Sequence, residues 1–410
     1  MNEFDVVIII PWFLIAIVFT NRYFFGRFLR KGREAMQSES SRTTDLQPDV
    51  AIIIPMYNEG KTIYSTIQSL LIQDYPAEKL SVWVVDDCSS DDSYEWAKKA
   101  ESENSRVNVI RNEYNMGKRL GIANAVRRVE TDYVVSVDSD VIVETDAISK
   151  LMCRFTSDDI AAVGGRVMVL NCNHNWLTKM QTIKYFYGYE FLKDLERTFY
   201  SVLCLSGCLT AYRRDALLEL ESILEKRSLF GIPIKYGEDR FLTRQLLKVG
   251  YKTRLTLDSI CYTKAPENLN NYFSQQLRWR RSNLVDFLGG VTHVWKLHPA
   301  VAIHYFSLYT LLIIYPIFLW GAFITDQYYE TALIHVGVLA IFGGIYVWLT
   351  RDVNEKYKVH PMNFLWMAIV MPVSYMVLTT LAIFTLDSGS WETRGSTEKP
   401  KTNDLSVEIK

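Results

Sequence analysis

Residues 81–87 read SVWVVDD, a short β-branched run that ends on two carboxylates. A run of this length without polar alternation fits a strand buried on both faces of a parallel sheet. Upstream, residues 50–55 (VAIIIP) have the same texture, and residues 107–111 and 133–137 (YVVSV) repeat it downstream. Apolar residues at helical spacing fill 61–73 and 120–129 between these runs. Strand alternating with helix predicts a doubly wound α/β domain, whose ligands bind beyond the carboxyl ends of the strands. Two of those ends carry acid pairs, Asp86-Asp87 and Asp138-Ser139-Asp140. A charged ligand or a cation is expected there.

The chain has 410 residues, and 45 Lys+Arg balance 46 Asp+Glu to a net charge of −1, which argues against a nucleic-acid binder. Charge is unevenly spread. Residues 6–20 (VVIIIPWFLIAIVFT) have none, and Arg22, Arg27, Arg30, Lys31 and Arg33 follow. Positive charge after the apolar run, not before it, predicts a retained anchor with the cationic side in the cytoplasm. Three more apolar stretches cover 301–324, 333–350 and 364–386. Asp326 and Glu330 separate the first two, and Arg351, Lys356 and Lys358 the second and third. The first two read as a hairpin with its tip outside. The third contains Pro372 and either crosses or dips in and returns. The six cysteines show no metal-type spacing and read as reduced thiols.

The expected plan is an anchor at 1–25, a cytoplasmic linker at 26–48, a cytoplasmic catalytic domain at 49–283 and an interfacial helix at 284–300. A membrane region follows at 301–386, with the hairpin at 301–350 and the third segment at 364–386, and then a polar tail at 387–410. Residues 175–197 mix aromatics with Lys179, Lys184, Lys193 and Arg197. They read either as an amphipathic helix at the membrane face or as an ordinary covering helix.

Four motifs carry candidate chemistry. Asp138-x-Asp140 offers two hard oxygen ligands to Mg²⁺ or Mn²⁺, with further positions left for phosphate and water. Gly237-Glu238-Asp239-Arg240 places an acid where it could deprotonate an attacking hydroxyl. Gln275-Gln276-Leu277-Arg278-Trp279-Arg280-Arg281 combines guanidinium forks for phosphate with an indole face for a sugar ring. Alone, it has a competing reading as a basic cluster against anionic lipid. Asn115-Met116-Gly117-Lys118-Arg119 is a glycine turn with two cations. Each motif is weak in isolation.

In this order and spacing the motifs resemble the processive, membrane-bound family-2 glycosyltransferases: hyaluronan synthases, chitin synthases, the rhizobial nodulation chitooligosaccharide synthase and, more distantly, cellulose synthase. Residues 54–59 (IPMYNE), 205–214 (LSGCLTAYRR) and 390–394 (SWETR) look like that family's first strand and turn, acceptor segment and gating motif. The resemblance spans roughly residues 6–396 and implies a GT-A-type catalytic domain between N-terminal and C-terminal transmembrane helices, in the cell membrane.

The resemblance further implies that Asp86 and Asp87 contact the uridine of a UDP-sugar and that Lys118 and Arg119 lie along the nucleotide. Asp138 and Asp140 would hold Mg²⁺ or Mn²⁺, and Asp239 would be the general base. Gln275, Gln276, Arg278 and Trp279 would bind the diphosphate and frame the acceptor, with Ser206, Gly207 and Cys208 beside it. Trp391 and Arg394 would close over the nucleotide, which requires 364–386 to return to the cytoplasmic side as a re-entrant or interfacial segment. A single in-line displacement by the acceptor hydroxyl, assisted by one base, predicts inversion. Cys208 stands where hyaluronan synthases have proline, and Gly-Glu-Asp-Arg is closer to chitin-type enzymes. UDP-N-acetylglucosamine is therefore the expected donor, with UDP-glucuronate open as an alternating second one, a growing β-linked polysaccharide as acceptor, the bilayer as a partner and no nucleic acid. The alternatives are single-sugar transfer to a lipid carrier and a degenerate, non-enzymatic membrane scaffold or sensor.

Overall fold

A computed structural model of the chain describes residues 43–45, 47–225, 227–229, 231–234, 236–351 and 358–386. The expected anchor at 1–25, most of the linker, and Trp391 and Arg394 lie outside the described residues.

The first half of the sheet follows the sequence closely. Strands β1 (Val50–Met56), β2 (Leu80–Asp86), β3 (Val107–Arg111) and β4 (Tyr133–Ser136) are parallel neighbours in the order β3-β2-β1-β4. Helices α1 (Thr62–Leu71), α2 (Ser93–Glu103) and α3 (Lys118–Arg128) connect them. Every residue of β1 is buried, as its unbroken apolar run requires in a sheet covered on both faces. Met56 pairs with Asp86, so the strand ends sit level and the acids emerge at one edge.

The second half is mixed, which the sequence pattern does not reveal. Strand β5 (Val141–Val143) and helix α4 (Ala147–Met152) lead to β6 (Ile160–Val169). Helices α5 (Trp176–Tyr187) and α6 (Lys193–Thr198) are joined by a π turn at 188–192 and precede β7 (Thr210–Arg213). Then come α7 (Arg214–Glu219), α8 (Glu221–Glu225), the small ribbon β8 (Ser228–Leu229) and β9 (Ile232–Pro233), α9 (Glu238–Val249) and β10 (Lys252–Thr263). The sheet runs β3-β2-β1-β4-β7-β6-β10-β5, with β7 antiparallel to both neighbours and β5 antiparallel to β10.

Helix α10 (Leu269–Gly290) starts at Asn268, whose side chain accepts from the Asn271 N–H. It runs without a break through the boundary expected at 283/284. The segment expected as an interfacial helix is instead the last two turns of α10, a short connection and the start of the next helix. Helices α11 (Pro299–Ile324) and α12 (Tyr328–Leu349) and the run 361–384 are each long and apolar enough to cross a membrane, with mean hydropathies of 1.9, 1.8 and 2.0. The last run is α13 (Phe364–Ser374), a π turn at 375–379 and α14 (Thr380–Phe384). It keeps one helical direction from end to end, with Pro372 accommodated inside it.

This run lies lengthwise on α10. Tyr272 packs with Val370, Arg280 donates to Ser374 Oγ at 2.9 Å, Leu284 packs with Ala382, and Arg281 donates to Thr385 Oγ1 at 2.8 Å. Residues 272–284 and 370–382 therefore run in the same direction, side by side, over about 18 Å at 1.5 Å per residue. On its other face Leu365, Ile369, Val373, Val377 and Leu381, spaced by four, form an exposed apolar stripe. Helix α5 supplies the second seat. Phe186 meets Tyr346 at 5.1 Å between ring centres, and Tyr187 meets Phe342 and Phe364 at 5.5 and 5.6 Å. The aromatics of 175–197 thus grip the apolar helices instead of merely covering the sheet.

Candidate active site

The strand ends gather most of the expected residues. Lys118 opens α3, where Gly117 adopts φ +84, a left-handed conformation that glycine reaches without strain. Its ammonium lies 2.6 Å from Asp138 Oδ1 and 2.7 Å from Glu238 Oε1, with its side chain 10% exposed. One buried cation thus joins the strand-end acid pair to the first turn of α9. Burial alone would depress the Lys118 ammonium, but Asp138, Glu238 and Asp239 raise it well above the ordinary lysine value. Burial would likewise raise Glu238, yet Lys118 outweighs it and holds this carboxyl down at about 2. Asp239 goes the other way. Burial, and then the Glu238 charge beside it, raise its carboxyl above the usual aspartate value. The adjacent acids are therefore split into one firmly ionised group and one with raised proton affinity, as general base catalysis needs.

The acceptor segment closes over this cluster. Leu205 N–H donates to Thr243 Oγ1, which donates to the Asp239 carbonyl at 2.7 Å, so the segment is tied to the helix that carries Asp239. Ser206 caps its own turn, with its carbonyl accepting from Thr210 Oγ1 and its hydroxyl oxygen from Cys208 N–H. A Cβ at Gly207 would stand 2.7 Å from Lys118 Nζ and 3.3 Å from Asp138 Oδ1, so a side chain there would displace the Lys118 ammonium. The Cys208 thiol donates to Asp138 Oδ2 at 3.4 Å, and burial pushes that thiol well above its ordinary pKa. Asp140 accepts from Thr263 Oγ1 at 3.2 Å.

Helix α10 forms the opposite wall. Gly237, at φ +68, allows the close approach, since a Cβ would lie 1.9 Å from Ser282 Oγ on α10. Arg227 Nη1 donates to the Gly237 carbonyl at 2.9 Å, while Asp286 pairs with Arg227 and Arg244 at 3.0 Å each. Arg278 is close enough to Glu238 to help hold it ionised. Gln276 donates to Gln275 Oε1 at 3.5 Å, and Trp279 stays 36% exposed.

Several expected residues are placed differently. Asp87 is 1% exposed and spends its carboxylate on the glycine turn, accepting from Asn112 Nδ2, Met116 N–H and Gly117 N–H at 2.7–2.9 Å. It holds the Lys118 loop in place. Asp86, fully buried, accepts from Ser89 N–H and faces Arg111 at 3.2 Å. Arg119 leaves the cluster, donating to the Ile234 carbonyl at 2.8 Å and lining a hollow with Ile122, Val126 and Leu242. Arg280 and Arg281 turn to the C-terminal helical run, donating to Ser374 and Thr385. Two residues escaped the sequence reading as part of the site: Glu238, seen only as a neighbour of the base, and Lys184, which donates to Gln276 Oε1. The strong acid-base contrast within 237–240 was the available signal for the first. Nothing local signals the second.

Residues 51–220 match the family described as glycosyl transferase family 2. The N-acetylglucosaminyltransferase of Rhizobium sp. (strain N33) is 36% identical over 263 residues, covering 62% of this chain and 57% of that protein. That of Rhizobium meliloti (strain 1021) is 35% identical, covering 65% and 63%. That of Rhizobium leguminosarum bv. viciae is 29% identical, covering 86% and 83%. The chain spans little more than half the length of the first of these curated relatives. A mannosyltransferase from Pyrobaculum calidifontis, solved in complex with GDP-Man and Mn²⁺, superposes with a TM-score of 0.60 at 18% identity, over 93% of this chain and 97% of that one. That likeness is one of fold.

Proposed function

We propose that this chain, whose residues 51–220 match glycosyl transferase family 2, is a membrane-bound, inverting β-glycosyltransferase that extends an aminosugar polymer from UDP-N-acetylglucosamine. The observation that carries the reading is the Asp138–Lys118–Glu238 bridge, which brings the strand-end acids, the Asp239 base and the acceptor segment into one cluster. The names of the curated relatives support N-acetylglucosamine as the sugar transferred.

The residues present fit a divalent cation. Among the described residues no group of three or more His, Cys, Asp or Glu could hold a metal alone. Asp138 and Asp140 would supply two hard oxygens to Mg²⁺ or Mn²⁺, Asp138 by giving up its contacts to Lys118 and Cys208, with the remaining positions left for phosphate and water. When bound, such a cation would offset charge developing on the departing UDP. The chain's own groups do the rest. Asp239 accepts the proton of the acceptor hydroxyl, and that oxygen attacks the anomeric carbon as its bond to the diphosphate breaks on the far side. The α-linked donor then becomes a β-linked product. Glu238 raises the proton affinity of Asp239, and Arg278 is placed to meet diphosphate oxygens. Trp279 offers its open indole to the acceptor ring. Asp86 and Asp87 support the uridine end, with Asp87 acting through the turn it holds. The Tyr236 hydroxyl donates to the Leu386 carbonyl at 2.7 Å, so the chain leaves the described C-terminus beside the base segment. Trp391 and Arg394, which follow in the sequence, lie outside the described residues, and their closing over the nucleotide stays part of this proposal. The catalytic domain is cytoplasmic in this reading, and the α11–α12 hairpin crosses the membrane.

The test uses protein in nanodiscs with Mn²⁺, supplied with UDP-N-acetylglucosamine, UDP-glucuronate or both, with UDP release and product size measured against Asp239→Asn. Chains from UDP-N-acetylglucosamine alone support the proposal. A polymer formed only with both donors replaces it with a hyaluronan-type reaction, and a single sugar on lipid replaces it with the carrier reading.

A further inference from the structure

Lys184 projects from α5 toward α10 and has an unusual set of neighbours. Its ammonium donates to Gln276 Oε1, lies 5.7 Å from the centre of the Trp279 ring and lies 5.8 Å from that of Tyr272. Among the described residues no carboxylate pairs with it. The charged group facing it is Arg280 of α10, whose guanidinium is occupied with Ser374 and stacks at 4.0 Å on Tyr375 of the C-terminal run. Tyr272 is raised to about 12, chiefly by burial, and so stays neutral at physiological pH. A half-buried ammonium whose partners among the described residues are one amide oxygen and two aromatic faces carries a desolvation cost with no carboxylate to offset it. It is not explained by packing, since an aliphatic side chain would fill the same space without that cost.

Gln276 and Trp279 are three residues apart on α10, hence neighbours on one face. We infer that Lys184 is a positioning residue of the acceptor subsite, its ammonium tying Gln276 and Trp279 into one fixed surface on which the non-reducing sugar ring of the acceptor rests. This rests on the acceptor role proposed above for those two side chains. The ammonium fixes Trp279 from one side by cation–π attraction and orients the Gln276 amide by a charge-assisted hydrogen bond. Trp279 keeps over a third of its surface open for the sugar. The lock depends on charge. Burial, and then Arg280, lower the Lys184 ammonium to about 7, so it is charged and holding below that pH and neutral and released above it.

The experiment measures kcat and KM for N-acetylchitotetraose as acceptor at saturating UDP-N-acetylglucosamine and Mn²⁺. It compares full-chain wild type, Lys184→Met, Lys184→Arg and Trp279→Ala in nanodiscs, from pH 6 to 8.5. Lys184→Met keeps the packing and loses the charge. Its acceptor KM should rise about tenfold, the equivalent of one such interaction, with kcat within about twofold and UDP affinity unchanged. Lys184→Arg should restore KM to within about threefold. The wild-type KM should climb as pH passes 7, whereas that of Lys184→Arg should stay flat, because a guanidinium keeps its charge. A wild-type KM in Lys184→Met overturns the inference, as does an equal defect in both Lys184 variants or a parallel loss of UDP binding. If Trp279→Ala leaves the acceptor KM unchanged, the acceptor assignment itself falls. If Trp279→Ala raises it and Lys184→Met does not, only the role of Lys184 falls.

Discussion

Replacing Lys118 by Met removes one cation and strands two acids. Lys118 bonds Asp138 at 2.6 Å and Glu238 at 2.7 Å, and the Glu238 side chain is 14% exposed, so little water can replace the lost partner. Glu238 is held at about 2 against an ordinary 4.5. At 1.36 kcal/mol per unit, its ionised form contributes about 3 kcal/mol at pH 7. This agrees with the roughly 3–5 kcal/mol typical of removing one partner from a buried pair. For a domain of this size the melting temperature should fall by about 6–12 °C. The pH dependence has a definite sign. A carboxyl depressed in the fold stabilises fully above its unfolded pKa, and the stabilisation is lost as pH falls from 4.5 toward 2. The gap between wild type and Lys118→Met should therefore narrow from about 3 kcal/mol at pH 7 to about 1.5 kcal/mol at pH 3. Guanidinium unfolding in detergent, followed by tryptophan fluorescence at both pH values, measures it. A gap below about 1 kcal/mol at pH 7, or one that does not change at pH 3, would refute the bridge as the source of Glu238 depression.

Glu238→Gln removes the like charge beside Asp239, so the acidic limb of the kcat/KM profile should move to lower pH. An unmoved limb would detach Glu238 from the base. Asp239→Asn should cost about 10²–10⁴ in kcat while UDP still binds, as read by UDP release and calorimetry. Gly237→Ala would place a methyl 1.9 Å from Ser282 Oγ at φ +68. The variant should melt far below wild type, and adding Ser282→Gly should recover the space but not the backbone strain, worth about 1–2 kcal/mol. EDTA should reduce UDP release to the Asp239→Asn background, and Mn²⁺ or Mg²⁺ should restore it. Turnover that persists in EDTA would exclude the metal assigned to Asp138 and Asp140.

The parallel half of the sheet was legible because each strand is a local signal. Residues 50–55, 81–87 and 133–137 are apolar runs bounded by turns, and their carboxylates fall at the ends by chain order alone. The antiparallel insertion of β7 was not legible, because it pairs Thr210 with Ser136 across more than seventy residues and leaves no local periodicity. Motif residues were easier to find than their directions. Lys118 and Arg119 are adjacent, yet one turns to Asp138 and the other to Ile234, a choice made by the tertiary packing of α3. The same holds along α10, where Arg278, Arg280 and Arg281 read as one basic cluster but helical geometry sends the last two to Ser374 and Thr385. Lys184 was invisible for a related reason. A lysine's lack of a carboxylate partner is a property of the folded surroundings and not of its neighbours in sequence.

The side-by-side alignment of α10 with the run from 361 to 384 also bears on how the protein is made. The residues that meet across the two helices lie 94 and 104 positions apart at their hydrogen-bonded contacts. At about 5–20 residues per second, α10 leaves the ribosome roughly 5–20 seconds before the segment that covers Tyr272 and satisfies Arg280. During that interval the wall of the groove has no backing, and a buried guanidinium has neither its hydroxyl nor its ring. A chain that stops before Ser374 should therefore be an early substrate for proteolysis and not a weak enzyme. Synthesis of the last apolar helix should thus act as a checkpoint that completes the backing of α10.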